Sequence, residues 1–258
     1  MVEMIDTHCH LNFDAFDTDR NEVVARAAAV GVTRLIIPAV DLETSRQAIQ
    51  LADQFKGVYA AIGIHPNSTA DFSMSDIEAL RHLLPHPKVV AIGEIGLDYH
   101  WKDSPPDKQK EAFLAQLALA NEVNLPIIIH NREAHDDVLS MVEAWNPVNK
   151  ERVGVLHSSS APLEYAQRAL AKGFYLGFTG PVTYKKAEET RHIASLIPLN
   201  RILVETDAPF LTPEPYRGKR NSPEYIPYIV ERLAAVRGIT NDEMAQASTE
   251  NALRLFGI

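Results

Sequence analysis

Cysteine is almost missing. Cys9 is the only one in 258 residues, so no disulfide can staple the chain internally. That usage fits a reducing compartment, and the chain is read as cytoplasmic. No apolar run reaches the roughly 20 residues that a membrane-spanning helix needs, so no membrane association is expected. A basic, apolar leader is also missing, since Glu3 and Asp6 interrupt the stretch where a secretory signal would begin. Basic charge is in deficit, with 25 Lys and Arg against 34 Asp and Glu and a net charge of −9. That balance argues against broad, indiscriminate duplex binding, which needs a basic face. A phosphate-bearing substrate stays possible where bound metal reverses the sign locally. Neither low-complexity tracts nor composition breaks mark a linker.

What the chain has is a regular alternation of short apolar runs and longer amphipathic stretches. The runs are MIDTH at the start, Arg34–Val40, Val58–His65, Val89–Gly96, Pro126–His130, Val153–His157, Phe174–Phe178 and Arg201–Asp207. Between them fall helix-like stretches at Asp19–Val30, Glu43–Phe55, Met74–Leu84, Gln109–Asn124, Ala134–Trp145, Leu163–Lys172, Lys186–Ile197 and Glu224–Arg237. An extra helix is expected over Asn241–Phe256. Strands apolar along nearly their whole length are buried on both faces, as in parallel sheets. Eight strand–helix units over this length predict an α/β fold, a single-domain (β/α)8 TIM barrel spanning 1–258. An open doubly wound sheet is the alternative, weakened because no glycine-rich phosphate fingerprint follows the first run.

The chemistry collects where the runs end. His8 and His10 close the first run, with Cys9 between them pointing to the other face. His65 closes the third, Glu94 sits in the fourth, His130 closes the fifth, His157 the sixth and Asp207 the eighth. In a barrel these C-terminal ends share one rim, the rim that carries active sites. Five of the ten histidines fall there, while His82, His86, His100, His135 and His192 fall in helices or loops. Taken singly, each is a core or capping residue; gathered at one rim, that many polar groups are costly to bury unless something binds them. His8, His10, Glu94, His130, His157 and Asp207 form a nitrogen-and-oxygen ligand set suited to zinc, manganese, iron or cobalt, with magnesium preferring oxygen. Six ligands exceed what one open catalytic ion needs, so two divalent ions sharing a carboxylate are expected. With two ions against Glu94 and Asp207, about two positive charges are left, which suits an anionic substrate.

The segments IDTHCHLNF, GIHP, AIGEIGLDY, IIIHNREA, GVLH and VETDAPFLTP, then RGKRNSPEYI and TENALRLF, resemble the TatD family of metal-dependent hydrolases along the whole chain. The resemblance implies a TIM-barrel deoxyribonuclease of the amidohydrolase type, working 3′ to 5′ on DNA or another phosphodiester. It implies one metal (magnesium, manganese or zinc) on His8, His10, Glu94 and Asp207, and a second on Glu94, His130 and His157, with Glu94 bridging. The fourth run reads GEIG, without the lysine that bridges metals in many related amidohydrolases, which favours the TatD type over the lactonase and phosphotriesterase types. One departure stands out. The family's usual His-Cys-Phe is His157-Ser158-Ser159 here, so the pocket floor and the ring orientation of His157 are expected to differ.

In the implied mechanism, Asp207 positions the attacking water and takes its proton, with Glu94 and His65 as its catalytic neighbours. His65 precedes Pro66, which holds it extended, and it is assigned to a phosphate oxygen or the leaving group. Arg132 is placed to grip phosphate, and Arg220, with Arg217 and Lys219 in the same loop, to guide a nucleic-acid backbone. Tyr99, His100 and Trp101 are positioned to stack on a terminal base. No obligate protein partner is expected, and a monomer is the default. The competing readings are a small-molecule ester, amide or phosphoester hydrolase and a catalytically silent metal-binding barrel.

Overall fold

The computed structural model describes residues 2–258. In chain order the elements are β1 (Met4–Asp6), α1 (Arg20–Ala29), β2 (Val32–Pro38), α2 (Leu42–Gln54), β3 (Val58–Ile62), α3 (Met74–Leu83), β4 (Val89–Asp98), α4 (Pro106–Val123) and β5 (Ile127–Arg132). They continue with α5 (His135–Ala144), β6 (Gly154–Leu156), α6 (Leu163–Ala171), β7 (Tyr175–Phe178), α7 (Glu188–Leu196), β8 (Ile202–Val204), α8 (Ile226–Arg237) and α9 (Asn241–Phe256). Among the described residues the strands form one parallel sheet of eight, in the order β1 to β8. The ring closes just past the strand ends. Thr7 N donates to Val204 O, Asp207 N to His8 O and His10 N to Ala208 O, at 3.2, 2.8 and 2.8 Å. The fold is the expected TIM-type barrel.

Alternation along the strands divides the apolar side chains into two layers. Leu35 and Ile37, Ile127 and Ile129 face outward onto helix residues such as Val23, Ala48 and Leu51. Ile36 and Ile128 between them face inward with Ile5, Ala61, Ala91, Val155 and Leu203. Ala252, Leu255 and Phe256 of α9 join that inner cluster, so the last helix plugs the barrel. Its side chains also tie to the strands' N-terminal ends: Thr249 Oγ1 donates to Glu3 O at 2.8 Å and Asn251 Nδ2 to Ile202 O at 2.9 Å. The opposite, C-terminal rim is left for chemistry.

The element bounds differ from the expected ones in an informative way. β1, β3, β6 and β8 stop at Asp6, Ile62, Leu156 and Val204, ahead of the histidines and Asp207. Past β6 and β8 the backbone turns over the rim, with Ser158 at φ 45° and Asp207 at φ 58°, whereas His8, His10 and His65 follow their strands in extended backbone. α4 starts at Pro106, three residues before Gln109, because proline suits the first helical turn. Glu224 lies in a 3-10 turn, Pro223–Tyr225, and α8 proper begins at Ile226.

Candidate metal centre

His8 and His10 do converge. Cys9 N donates to Ile36 O at 3.1 Å, which keeps the segment extended and puts both rings on one side. Their Nε2 atoms stand 3.3 Å apart. Glu94 Oε2 lies 3.3 Å from His8 Nε2 and 3.7 Å from His10 Nε2, and Asp207 Oδ1 lies 3.6 and 3.5 Å from the same two atoms. Ligands about 2.0–2.2 Å from a tetrahedral ion stand roughly 3.3–3.6 Å from one another, so these four atoms already have nearly the spacing of a coordination shell.

The second oxygen of Glu94 serves a different group. Oε1 accepts from His130 Nδ1 at 2.8 Å and lies 4.0 Å from His65 Nε2. One buried carboxylate thus faces two separate donor sets, the arrangement a bridging ligand requires. His157 stands with the first set. Its ring stacks on His8 with centroids 3.4 Å apart, and its Nε2 lies 3.5 Å from Asp207 Oδ1. The resemblance groups Glu94 and His130 with His157, whereas here His65 is the histidine that joins them.

Electrostatics make the case for cations. Asp6, Glu94, Asp98, Glu205 and Asp207 gather at this rim, the first four almost wholly buried. Among the described residues none of them pairs with a lysine or arginine; the charged neighbours of Glu94, Asp98, Glu205 and Asp207 are histidines, while Asp6 is held by Thr206 and the backbone N–H of His8. Buried carboxylates need compensation. In the metal-free chain protonated imidazoles supply it. Burial pushes His130 down, yet hydrogen bonds to Asp98 and Glu94 dominate and hold it at about 9. Burial likewise opposes ionisation of Glu94, but the pull of His8 and His130 keeps it well below the usual carboxylate range. His65 goes the other way, lowered by burial and then by His130 to about 3, so it is neutral. Oxygen and nitrogen donors converging without other cations fit divalent ions.

Residues 5–257 match the family described as TatD related DNase. The chain belongs to the TatD family. It is therefore a metal-dependent hydrolase. It is 46% identical over 256 residues to the uncharacterised metal-dependent hydrolase YabD of Bacillus subtilis, covering 99% of each chain. It is 38% identical over 261 residues to the 3′-5′ ssDNA/RNA exonuclease TatD of Shigella flexneri, again with 99% of each covered. Among solved structures, the TatD homologue YjjV of Escherichia coli superposes with a TM-score of 0.93 at 35% identity, covering 99% of this chain and 98% of that one.

Above the donor groups of this TatD barrel lies a cavity of about 750 Å³. His10, His65, Glu94, His130, His157 and Asp207 line its floor, and Arg132 stands in its wall. Arg132 has no ion-pair partner among the described residues; its guanidinium lies 5.4 Å from the ring centroid of Trp101. Of the three aromatics after β4, only Trp101 is free. Tyr99 Oη donates to Asp137 Oδ2 at 2.5 Å and His100 Nδ1 bonds Glu133 Oε1 at 2.7 Å, whereas Trp101 is half exposed in the cavity wall. Arg220 is drawn away from the cavity. It grips both oxygens of Asp19, at 2.8 and 2.6 Å, donates to Ala15 O and stacks on Phe16.

Three acids that sequence reasoning passed over orient the ligands. Glu205 Oε2 accepts from His157 Nδ1 at 2.8 Å and from Ser158 N at 3.0 Å. It, rather than Ser158 and Ser159, sets the ring orientation of His157; the two serines line the cavity, with Ser158 Oγ 2.8 Å from Thr179 Oγ1. Asp98 Oδ2 lies 2.9 Å from His130 Nε2. Asp6 accepts from His8 N and Thr206 N, at 3.2 and 2.9 Å, bracing the first set from behind. The signal was present: Asp6 and Glu205 each stand two residues before a proposed ligand, and Asp98 four after another. Histidine ligands need a second partner to fix their tautomer, and carboxylates usually provide it.

Proposed function

We propose that this TatD-family chain is a 3′–5′ exonuclease on single-stranded DNA, with residues 1–258 acting as one catalytic unit inside the cytoplasm. The observation that supports it best is the divided Glu94 carboxylate beneath a cavity large enough for a nucleotide. His8, His10, Glu94 and Asp207 would hold one divalent ion. Glu94 and His130 would hold the second, with His65 beside them as a hydrogen-bond donor and His157 beside the first ion. Bound metal supplies Lewis-acid polarisation of the phosphodiester and acidifies water.

The chain's own groups supply the remainder. Asp207 is 14% exposed against 3% for Glu94, so it is the carboxylate that reaches cavity water. It orients the attacking water and accepts its proton. Asn67 N donates to His65 Nδ1 at 3.1 Å, which leaves the proton of the neutral ring on Nε2, facing the cavity. His65 thus offers a donor to a phosphoryl oxygen or the leaving group. Arg132, unpaired, neutralises a non-bridging phosphate oxygen. Trp101 offers a face for the terminal base.

The test uses metal-stripped protein reloaded separately with magnesium, manganese or zinc, and single-stranded oligonucleotides labelled at either end. Stepwise shortening from the 3′ end is expected, absent in Asp207→Asn despite an unchanged fold. No cleavage with any metal bound, or equal cleavage by Asp207→Asn, defeats the reading.

A further inference from the structure

The YRGKRNSP loop contains three cations, and the structure separates them. Arg220 is locked onto Asp19, while Arg217 and Lys219 have no ion-pair or hydrogen-bond partner for their side chains among the described residues. Each instead lies over a tyrosine. The Arg217 guanidinium is 4.3 Å from the Tyr184 ring centroid and Lys219 Nζ is 5.5 Å from that of Tyr216. Tyr184 belongs to the segment between β7 and α7, and Lys185 and Lys186 follow it, both exposed and both without a side-chain partner among the described residues.

The two segments form one surface. Tyr184 Oη donates to Thr212 O at 3.0 Å and Glu214 N donates to Thr183 Oγ1 at 2.9 Å. Arg191 fixes the first segment from beneath, donating to Tyr184 O at 2.6 Å and Lys185 O at 3.1 Å. The surface is also continuous with the cavity: Phe210 and Leu211, at the start of the second segment, line it, as do Pro181 and Val182 of the first. Glu188, Glu189 and Glu214 are close in sequence, but none comes within ion-pair distance of these four cations.

Of these four unpaired cations two lie over tyrosines, and the segments that carry all four border the cavity, which is unexpected in a chain of net charge −9. A run of unpaired cations leading away from a cavity is the chemistry of a groove that follows a single-stranded nucleic-acid backbone. We propose that Arg217, Lys219, Lys185 and Lys186 carry the single strand beyond the nucleotide being removed, with Tyr184 and Tyr216 steadying Arg217 and Lys219. This track rests on the exonuclease reading and adds to it a preference for long single strands over dinucleotides.

The test is the variant with Arg217, Lys219, Lys185 and Lys186 all changed to Gln, compared with the parent on a dinucleotide and a 15-nucleotide single strand. The expected result is a KM for the 15-mer raised about tenfold or more, with kcat and the dinucleotide unaffected. The slope of log affinity against log salt should flatten by roughly 0.7 for each phosphate that the variant no longer neutralises. Binding of a fluorescent 15-mer in chelator, where no turnover occurs, reads the track independently of catalysis. If the parent binds the 15-mer but cleaves nothing, the exonuclease reading fails and the track stands. If the variant binds the 15-mer as tightly as the parent, with the same salt slope, the track is wrong. Restoring charge with Lys at all four positions should recover binding, and failure to do so also overturns it.

Discussion

Gly177 in β7 is the most exacting position around the site. A Cβ added there would sit 2.2 Å from Glu205 Oε2 and 2.4 Å from Oε1. Ordinary van der Waals contact begins at about 3.4 Å, so to reach it Gly177→Ala must drive the carboxylate back by roughly 1.2 Å. Glu205 has little slack. It holds His157 Nδ1 at 2.8 Å, Ser158 N at 3.0 Å and Thr7 Oγ1 at 3.2 Å, and such bonds do not survive a displacement of that size. Losing one or two charge-assisted bonds in a buried place costs about 1.5–3 kcal/mol each, so a loss near 3 kcal/mol is expected. For a chain of this size that lowers Tm by roughly 6–12 °C. Because Glu205 orients a proposed ligand, divalent-metal affinity should fall about 10- to 100-fold, read by calorimetric titration of metal-stripped protein. The double variant with Glu205→Ala decides the cause. The methyl then enters vacated space, and Gly177→Ala should add almost nothing to the cost of Glu205→Ala. A single variant melting within about 2 °C of the parent, with unchanged metal affinity, would refute the reasoning.

Other substitutions probe other parts of the argument. Glu94→Ala should lose both metal equivalents together by elemental analysis; loss of one alone means the carboxylate does not bridge. Arg220→Ala should leave turnover of a dinucleotide unchanged and lower stability by roughly 1 kcal/mol or less, because the pair it makes with Asp19 is partly exposed. That small effect has a definite pH sign. A hydrogen bond from Arg220 holds the Asp19 carboxyl below its usual range, so the stabilisation is present above about pH 4 and lost as the carboxyl protonates in acid. Melting curves of parent and variant should therefore converge in acid, and a gap that widens there contradicts the assignment. Phe256→Ala should cost about 3–5 kcal/mol by emptying the barrel plug, measured by urea unfolding.

The barrel was legible because its strands are apolar on both faces, a pattern that a parallel sheet enclosed by helices demands. The plugging role of α9 was not, since an amphipathic stretch shows that it has a buried face without showing what that face meets. Likewise, His8, His10, Glu94, His130, His157 and Asp207 were singled out by type and position in or just past the strands, and the structure brings them to one rim. Their partition was not found. Which histidine joins Glu94 and His130 depends on how far each chain segment climbs past its strand, and β3 ends three residues before His65 whereas β6 ends one before His157. Short excursions of that kind leave no periodic signal.

The same distinction governs the basic loop. In sequence, Arg217, Lys219 and Arg220 are equivalent charges within four residues. Charge alone does not make a nucleic-acid contact; a cation must also be free, because one already bidentate to a carboxylate gains little by exchanging it for a phosphate. Asp19, about 200 positions away, removes Arg220 from consideration, and Tyr184, about 30 positions away, brings Lys185 and Lys186 in. The residues that decide the surface are thus remote in sequence from the motif that drew attention to it.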